Sequence, residues 1–411
     1  MDDSRQSIGA DFNQKADQCV LCGICLAHCP TYLKTYEEGE SPRGRIALLI
    51  ALARKELTPS ARIRHHVDHC LVCRACERVC PAEVPYGQII DAGRAHLTES
   101  ASRYDLKRQA AQILLNQVIS QPQRIHTAGW ILYLLQQSGL LEMASFMGLG
   151  HLTALLPPEI PPLHPFRRRY PPQGTPRGQV ALFVGCVTGI LDRLTLDAAI
   201  AVLTRLGYRV DVPSGQVCCG ALHLHHGDRD GAQRLIERNL AAFNSPEWDA
   251  IVTVASGCGA TLSEYPNEKF LPFAKRIMDI SDFLTRRSWP AEIKIRPLPK
   301  RVAIHDPCTL TNVLNCPQAP YTLLRNIPDL MVLGLPGNST CCGAAGAAML
   351  TKSPLHDSLR ADKIAALRAI APDILATSNI GCALFLAQGV RQAGLNIEVL
   401  HPITLIARQL L

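Results

Sequence analysis

The feature that most constrains this chain is a cysteine string written twice within its first 80 residues. Cys19-Val20-Leu21-Cys22-Gly23-Ile24-Cys25-Leu26-Ala27-His28-Cys29-Pro30 is one copy, and Cys70-Leu71-Val72-Cys73-Arg74-Ala75-Cys76-Glu77-Arg78-Val79-Cys80-Pro81 is the other. Thiols this dense fold either around disulfides or around metal. Cysteines three apart on one loop make strained bridges, and nothing in the chain marks an oxidising compartment. Zinc also takes four thiolates, but usually as two C-x-x-C pairs split by a knuckle or long loop, without a third cysteine at the same interval or a closing Cys-Pro.

The repeated spacing, C-x2-C-x2-C-x3-C-P, is the one that holds cubane [4Fe–4S] clusters in bacterial-type ferredoxins. Three cysteines wrap one cluster from a tight loop. The fourth, ahead of a proline that turns the chain away, reaches across to the other cluster. Cluster 1 is therefore assigned to Cys19, Cys22, Cys25 and Cys80, and cluster 2 to Cys70, Cys73, Cys76 and Cys29. Backbone N–H groups in the small-residue loops, such as those of Gly23 and Ala75, are expected to bond the sulfurs and tune their potential.

At 411 residues the chain should hold two or three domains. Aromatic residues make up 5%, too few for a stacking surface on single-stranded nucleic acid. The formal charge of +7 falls to roughly +3 once two clusters, each about −2 with its thiolates, are counted. Arg167-Arg168-Arg169 is the one block of like charge, so a nucleic-acid partner has little support. The amino terminus is polar, with no apolar core behind it, and no window of 18 uninterrupted apolar residues exists. No transmembrane span is expected. Seventeen cysteines without a secretory leader point to reduced thiols and the cytoplasm.

Between the cluster loops, Ser41 can cap and Pro42 suits the first turn of a helix running through Ile46–Lys55 beneath the clusters. Residues 88–120 read as an amphipathic helix with Arg94, Arg103, Lys107 and Arg108 on its wet side. The apolar stretch 129–152 reads either as a buried helical hairpin or as a surface that docks a partner subunit or lies at a membrane interface. Residues 157–178 are dense in proline and mark a semi-rigid boundary.

Beyond that boundary the chain repeats itself. Cys186 and Cys308 are 122 residues apart, Cys219 and Cys342 are 123 apart, and Cys258 and Cys382 are 124 apart. Three landmarks on one period identify an internal duplication. Each copy reads strand, cysteine, helix, strand, cysteine pair, helix, strand, cysteine, helix, which is a parallel α/β unit with its cysteines at the carboxyl edge of the sheet. Pseudo-twofold pairing of the copies would gather eight cysteines near one face. Cys186, Cys218, Cys219 and Cys258 in the first repeat, and Cys308, Cys341, Cys342 and Cys382 in the second, suffice for a further metal centre, iron–sulfur before zinc. They would also serve a thiol-lined docking scaffold or a redox-active cysteine pair. Gly220 and Gly343, each following a Cys-Cys pair, suit positive φ. Cys316 falls outside the pattern. His223, His225 and His226 offer metal or proton handling, or are solvated loop histidines; the second repeat has Ala344-Ala345-Gly346-Ala347 there.

These repeats resemble the cysteine-rich CCG domains of the heterodisulfide-reductase superfamily. That family's motif ends in C-x-x-C, whereas Ala255-Ser256-Gly257-Cys258 and Asn379-Ile380-Gly381-Cys382 keep only the last cysteine. With both cysteine strings, the Pro42-Arg43-Gly44-Arg45 turn and Pro307-Cys308-Thr309-Leu310, the whole chain resembles the iron–sulfur subunit family of glycolate oxidase (glycolate dehydrogenase). The resemblance implies an α+β fold: a helical two-cluster ferredoxin-type domain (1–100), a helical segment (101–156), the Pro-rich linker (157–178), and duplicated parallel α/β CCG repeats with pseudo-twofold symmetry (179–290 and 298–411). It implies an iron–sulfur electron-transfer subunit, not catalytic alone, that relays electrons from an FAD-carrying subunit oxidising glycolate to glyoxylate on to a quinone or other acceptor. It also implies peripheral association with the inner face of the cell membrane. Relatives of the same layout serve lactate and glycerol-3-phosphate oxidation, and a heterodisulfide-reductase-like role is the other alternative. The residues alone agree on class: no dinucleotide fingerprint, P-loop or nucleophile elbow is present, so a hydride acceptor must come from a partner.

Overall fold

The computed structural model describes residues 10–100, 106–144, 147–148, 150–265 and 270–411. Its amino-terminal part is helical. Ser41 Oγ accepts from Gly44 N at 2.9 Å and Pro42 occupies the first turn of the helix Pro42–Ala53. Gly93 lets the helix Tyr86–Glu99 cross it closely, since a Cβ there would stand 2.5 Å from Leu49 Cδ2. Ile46, Leu49, Ile63, Val67, Ile89 and Ile90 form the core between these helices and Ala61–Asp68, with Cys70 and Cys76 at its edge.

Arg94 departs from expectation. It is buried, not on the wet side, because its guanidinium donates to the carbonyls of Val67, Asp68 and Cys70 at 3.3, 3.2 and 2.7 Å and so secures the second cysteine loop. Arg103 lies outside the described residues. The buried-hairpin reading of 129–152 also fails: Gly129 is the one buried residue of the helix Pro122–Gln137. Ile131, Leu134, Leu140, Met143, Met147 and Leu152 stay exposed, because among the described residues no second layer covers that face. The Pro-rich segment is packed down through buried Ile160 and Leu163.

The duplicated half forms two sheets. The first has β1 (Arg169–Tyr170), β2 (Gly178–Phe183), β3 (Tyr208–Asp211), β4 (Ala250–Thr253) and β5 (Ile277–Asp279) in the order β1-β3-β2-β4-β5. All are parallel except β1, which adds antiparallel to β3. The second has β6 (Arg301–His305), β7 (Met331–Gly334), β8 (Ile374–Thr377) and β9 (Glu398–Leu400) in the order β7-β6-β8-β9, all parallel. The inner strands β4 and β8 are buried along their whole length, and β2 and β6 along most of theirs, because helices cover both faces. Helix Arg193–Arg205 of the first repeat packs on Pro402–Gln409 of the second, and Ile280–Thr285 packs on Ala319–Leu324. Pro402–Gln409 is the counterpart of Ile280–Thr285, so each contact is the other with the repeats exchanged. That is pseudo-twofold symmetry, built around one shared apolar core.

Candidate metal centres

Both amino-terminal cysteine loops take the same strained path. Leu21 and Val72 occupy equivalent positions at φ 57° and 50°, and Gly23 and Arg74 at φ 81° and 60°. Left-handed backbone is costly for leucine and arginine and most of all for β-branched valine. Its recurrence at the same two places turns each loop around a common centre, as a wrapped cluster demands. The donor chemistry agrees. Cys19, Cys22, Cys25 and Cys80 line one small cavity of about 30 Å³. Burial, together with the charges of Cys73, Cys70 and Cys29, pushes the Cys76 thiol well up. Cys25 adds to that effect, and Cys29 also raises Cys73, so the first loop's last two cysteines lie near the second loop. Thiols held so close are poor acids until a cation takes the protons' place. The backbone N–H of Ala75 bonds Cys73 sulfur.

Charged side chains pin these loops. Gly23 leaves room for Arg43, whose Nη1 would be 2.8 Å from a Cβ there and which donates to Leu21 O at 3.3 Å. Arg74 holds Glu77 and Glu264 at once, with distances of 2.5–2.8 Å, tying the second loop to the first repeat. Behind Cys29 lies a buried network: Arg45 donates to Glu40 Oε2 and to His66 O, each at 2.6 Å, and Glu40 O accepts from Thr31 Oγ1 at 2.7 Å. Burial would raise the Glu40 carboxyl, but hydrogen bonds from His69 and His66 and the Arg45 charge outweigh it and hold it at about 2.

In the first repeat Cys186 Sγ is 3.5 Å from Cys218 Sγ, and Cys219 interacts with both Cys218 and Cys258. In the second, Cys308, Cys341, Cys342 and Cys382 interact in the same sequence. Gly220 and Gly343 are at φ 93° and 91°, which turns the Gly343 N–H onto Cys341 Sγ at 3.4 Å. Both sets line a single cavity of about 2480 Å³. Its wall also includes Cys70. Cys73 and Cys308 pack against a buried cluster of Leu71, Cys341 and Leu359, and Asn312 Nδ2 donates to Cys73 O at 2.7 Å. Cys316 lies elsewhere, beside Asp279 and Asp282.

The histidines after the first Cys-Cys-Gly are not on a solvated loop. They sit on the helix Ala221–His226, with His223 fully buried and its Nε2 2.9 Å from Ser120 Oγ. Two features escaped sequence reasoning. One is the Glu40–Arg45 pair; the other is His305, which lies with Cys342 and Cys382. His305 was legible as a histidine three residues before Cys308, where the first repeat has Phe183. Among the described residues no helix is long and apolar enough to cross a membrane.

Comparison with known proteins places a 4Fe-4S dicluster domain over residues 15–84 and a cysteine-rich domain twice, over 180–263 and 302–387. The chain is 30% identical to a probable glycolate oxidase iron-sulfur subunit of Bacillus subtilis (strain 168), covering 96% of this chain and 94% of the relative. It is 31% identical to the glycolate oxidase iron-sulfur subunit of Escherichia coli (strain K12), covering 91% and 90%. It is 26% identical to lactate utilization protein A of Bacillus velezensis, which matches 54% of this chain and 96% of that one.

Proposed function

The chain belongs to the glycolate oxidase iron–sulfur subunit family, and from that premise we propose that it is the electron-relay subunit of a glycolate dehydrogenase, an oxidoreductase acting on a CH–OH donor. A partner subunit carrying FAD oxidises glycolate to glyoxylate, and a quinone or another carrier is the final acceptor. Bound iron–sulfur clusters supply one-electron steps, which a hydroxy-acid oxidation must be divided into before a one-electron chain can carry it. Cys19, Cys22, Cys25 and Cys80 hold the first cluster; Cys70, Cys73, Cys76 and Cys29 hold the second. The four thiols of each repeat hold a further centre.

The chain's own residues fix spacing and exclude water. Arg94 and Arg74 clamp the second loop. The observation that carries the reading is the convergence of sulfur from both halves: Cys73 of the second loop and Cys308 of the second repeat pack on one buried cluster that contains Cys341. The exposed apolar face that carries Ile131, Leu134, Leu140, Met143, Met147 and Leu152 is the docking surface for a partner subunit, and the complex sits peripherally on the inner face of the membrane.

Anaerobically prepared protein should carry at least about eight irons per chain with matching sulfide. The co-purified complex should reduce a dye with glycolate. Activity with lactate or glycerol 3-phosphate in place of glycolate would move the substrate. Turnover of a disulfide with no hydroxy acid would instead favour a heterodisulfide-reductase-like role.

A further inference from the structure

We propose that His305 is a metal ligand of the second repeat, so that this centre has a mixed nitrogen and sulfur donor set while the first repeat's is sulfur alone. The inference rests on the reading that the repeats hold metal centres. One imidazole nitrogen of His305 and the Sγ atoms of Cys342 and Cys382 all lie within 4.8 Å of one another. His305 is 1% exposed, on the last residue of β6. Its Nδ1 is 3.0 Å from Thr377 Oγ1, its hydrogen-bond partner among the described residues. With the Nδ1 proton given to that oxygen, Nε2 keeps the lone pair, the arrangement that prepares a histidine to ligate.

The first repeat is a control built into the same chain. In the sheet ladders His305 lies opposite Thr377, and Phe183 lies opposite Thr253 at the matching place. The threonine is present in both repeats; the imidazole is present in one. Phe183 instead packs in an apolar cluster with Phe243, and Thr253 Oγ1 turns to Met278 O at 3.5 Å. An imidazole buried in place of an aromatic hydrocarbon costs stability unless its polar atoms are used. Lys363 is buried in the same repeat, with its Nζ donating to Gly337 O.

The test is pulsed electron paramagnetic resonance on full-length, anaerobically prepared protein labelled with 15N-histidine, poised to make the repeat centres paramagnetic. A coupling from a directly bound 15N is expected in the wild type and lost in His305→Phe, the residue the first repeat carries. Thr377→Val should keep the coupling and lower resistance to an iron chelator about 10–100-fold, with Thr253→Val unchanged. Iron content in Cys342→Ser separates the two ways to fail. If that variant loses iron and the wild type has no 15N coupling, or the coupling survives in His305→Phe, the ligand assignment is wrong and the metal-centre reading stands. If Cys342→Ser retains all wild-type iron, the second repeat holds none, and both fall.

Discussion

Removing Arg45 tests the reasoning about how Cys29, the first loop's fourth cysteine and the second cluster's fourth ligand, is supported. Arg45 and Glu40 are each 1% exposed and 2.6 Å apart. At an effective dielectric of about 20 their attraction is roughly 6 kcal/mol, most of it offset by desolvating both ions. The pair is therefore worth little against an apolar pair of the same volume, yet losing one partner strands the other. Arg45→Met or Glu40→Leu alone should cost about 3–5 kcal/mol. At about 2–4 °C per kcal/mol, the melting midpoint should fall by roughly 6–20 °C. The double variant should recover at least half of that loss. The assay is anaerobic melting of the metal-loaded protein, followed by circular dichroism and by visible absorbance. Absorbance should be lost with or before the helices, since Glu40 O stands 3.6 Å from Cys29 Sγ. Single variants within about 2 °C of wild type, or a double variant as impaired as both singles combined, would refute the coupling.

Other perturbations test other parts. If the fourth cysteines cross over, Cys29→Ser and Cys76→Ser should lose the same paramagnetic signal, and Cys80→Ser and Cys22→Ser the other; matching defects within one loop would sink the assignment. Gly44→Ala would put a Cβ 1.9 Å from the Glu38 carbonyl oxygen, so backbone must move. A loss of at least about 1–3 kcal/mol in denaturant melts is expected. Arg74→Met should cost about 1–3 kcal/mol and speed amide exchange around Glu264, an effect discounted because Glu264 is 41% exposed. Burial pushes the Asp279 carboxyl up to about 7 from 3.8. Its folded form thus binds the proton more tightly, so its stabilisation is present below about pH 4 and is lost as pH rises through about 7. Asp279→Asn should flatten the stability profile across that window; an unchanged slope would count against it.

Some of this molecule was readable because the relevant physics is local. Ligand spacing in Cys19–Cys29 and Cys70–Cys80 is a property of short loops, so the string announces iron–sulfur binding before any fold is known. The Ser41-Pro42 helix start and the positive φ at Gly220 and Gly343 are local too. The duplication could be found because a repeat is compared only with itself. Arg94 was misread for the opposite reason: periodicity assigns a face, but three carbonyls from a distant turn decide whether a cation there is buried. The apolar stretch 129–152 was ambiguous because composition does not say whether a second layer exists.

By its own order of residues, then, the chain determined its chemistry and its layers: thiolates at cluster spacing, and two parallel α/β units fused by a shared core. Only the folded structure decided which sulfurs are neighbours. Cys73 and Cys308 come to one buried cluster with Cys341 across more than 200 residues, and His305 comes to Cys342 and Cys382 from a neighbouring strand. Such contacts arise where helices and sheet edges pack in three dimensions, and no spacing along the chain encodes them.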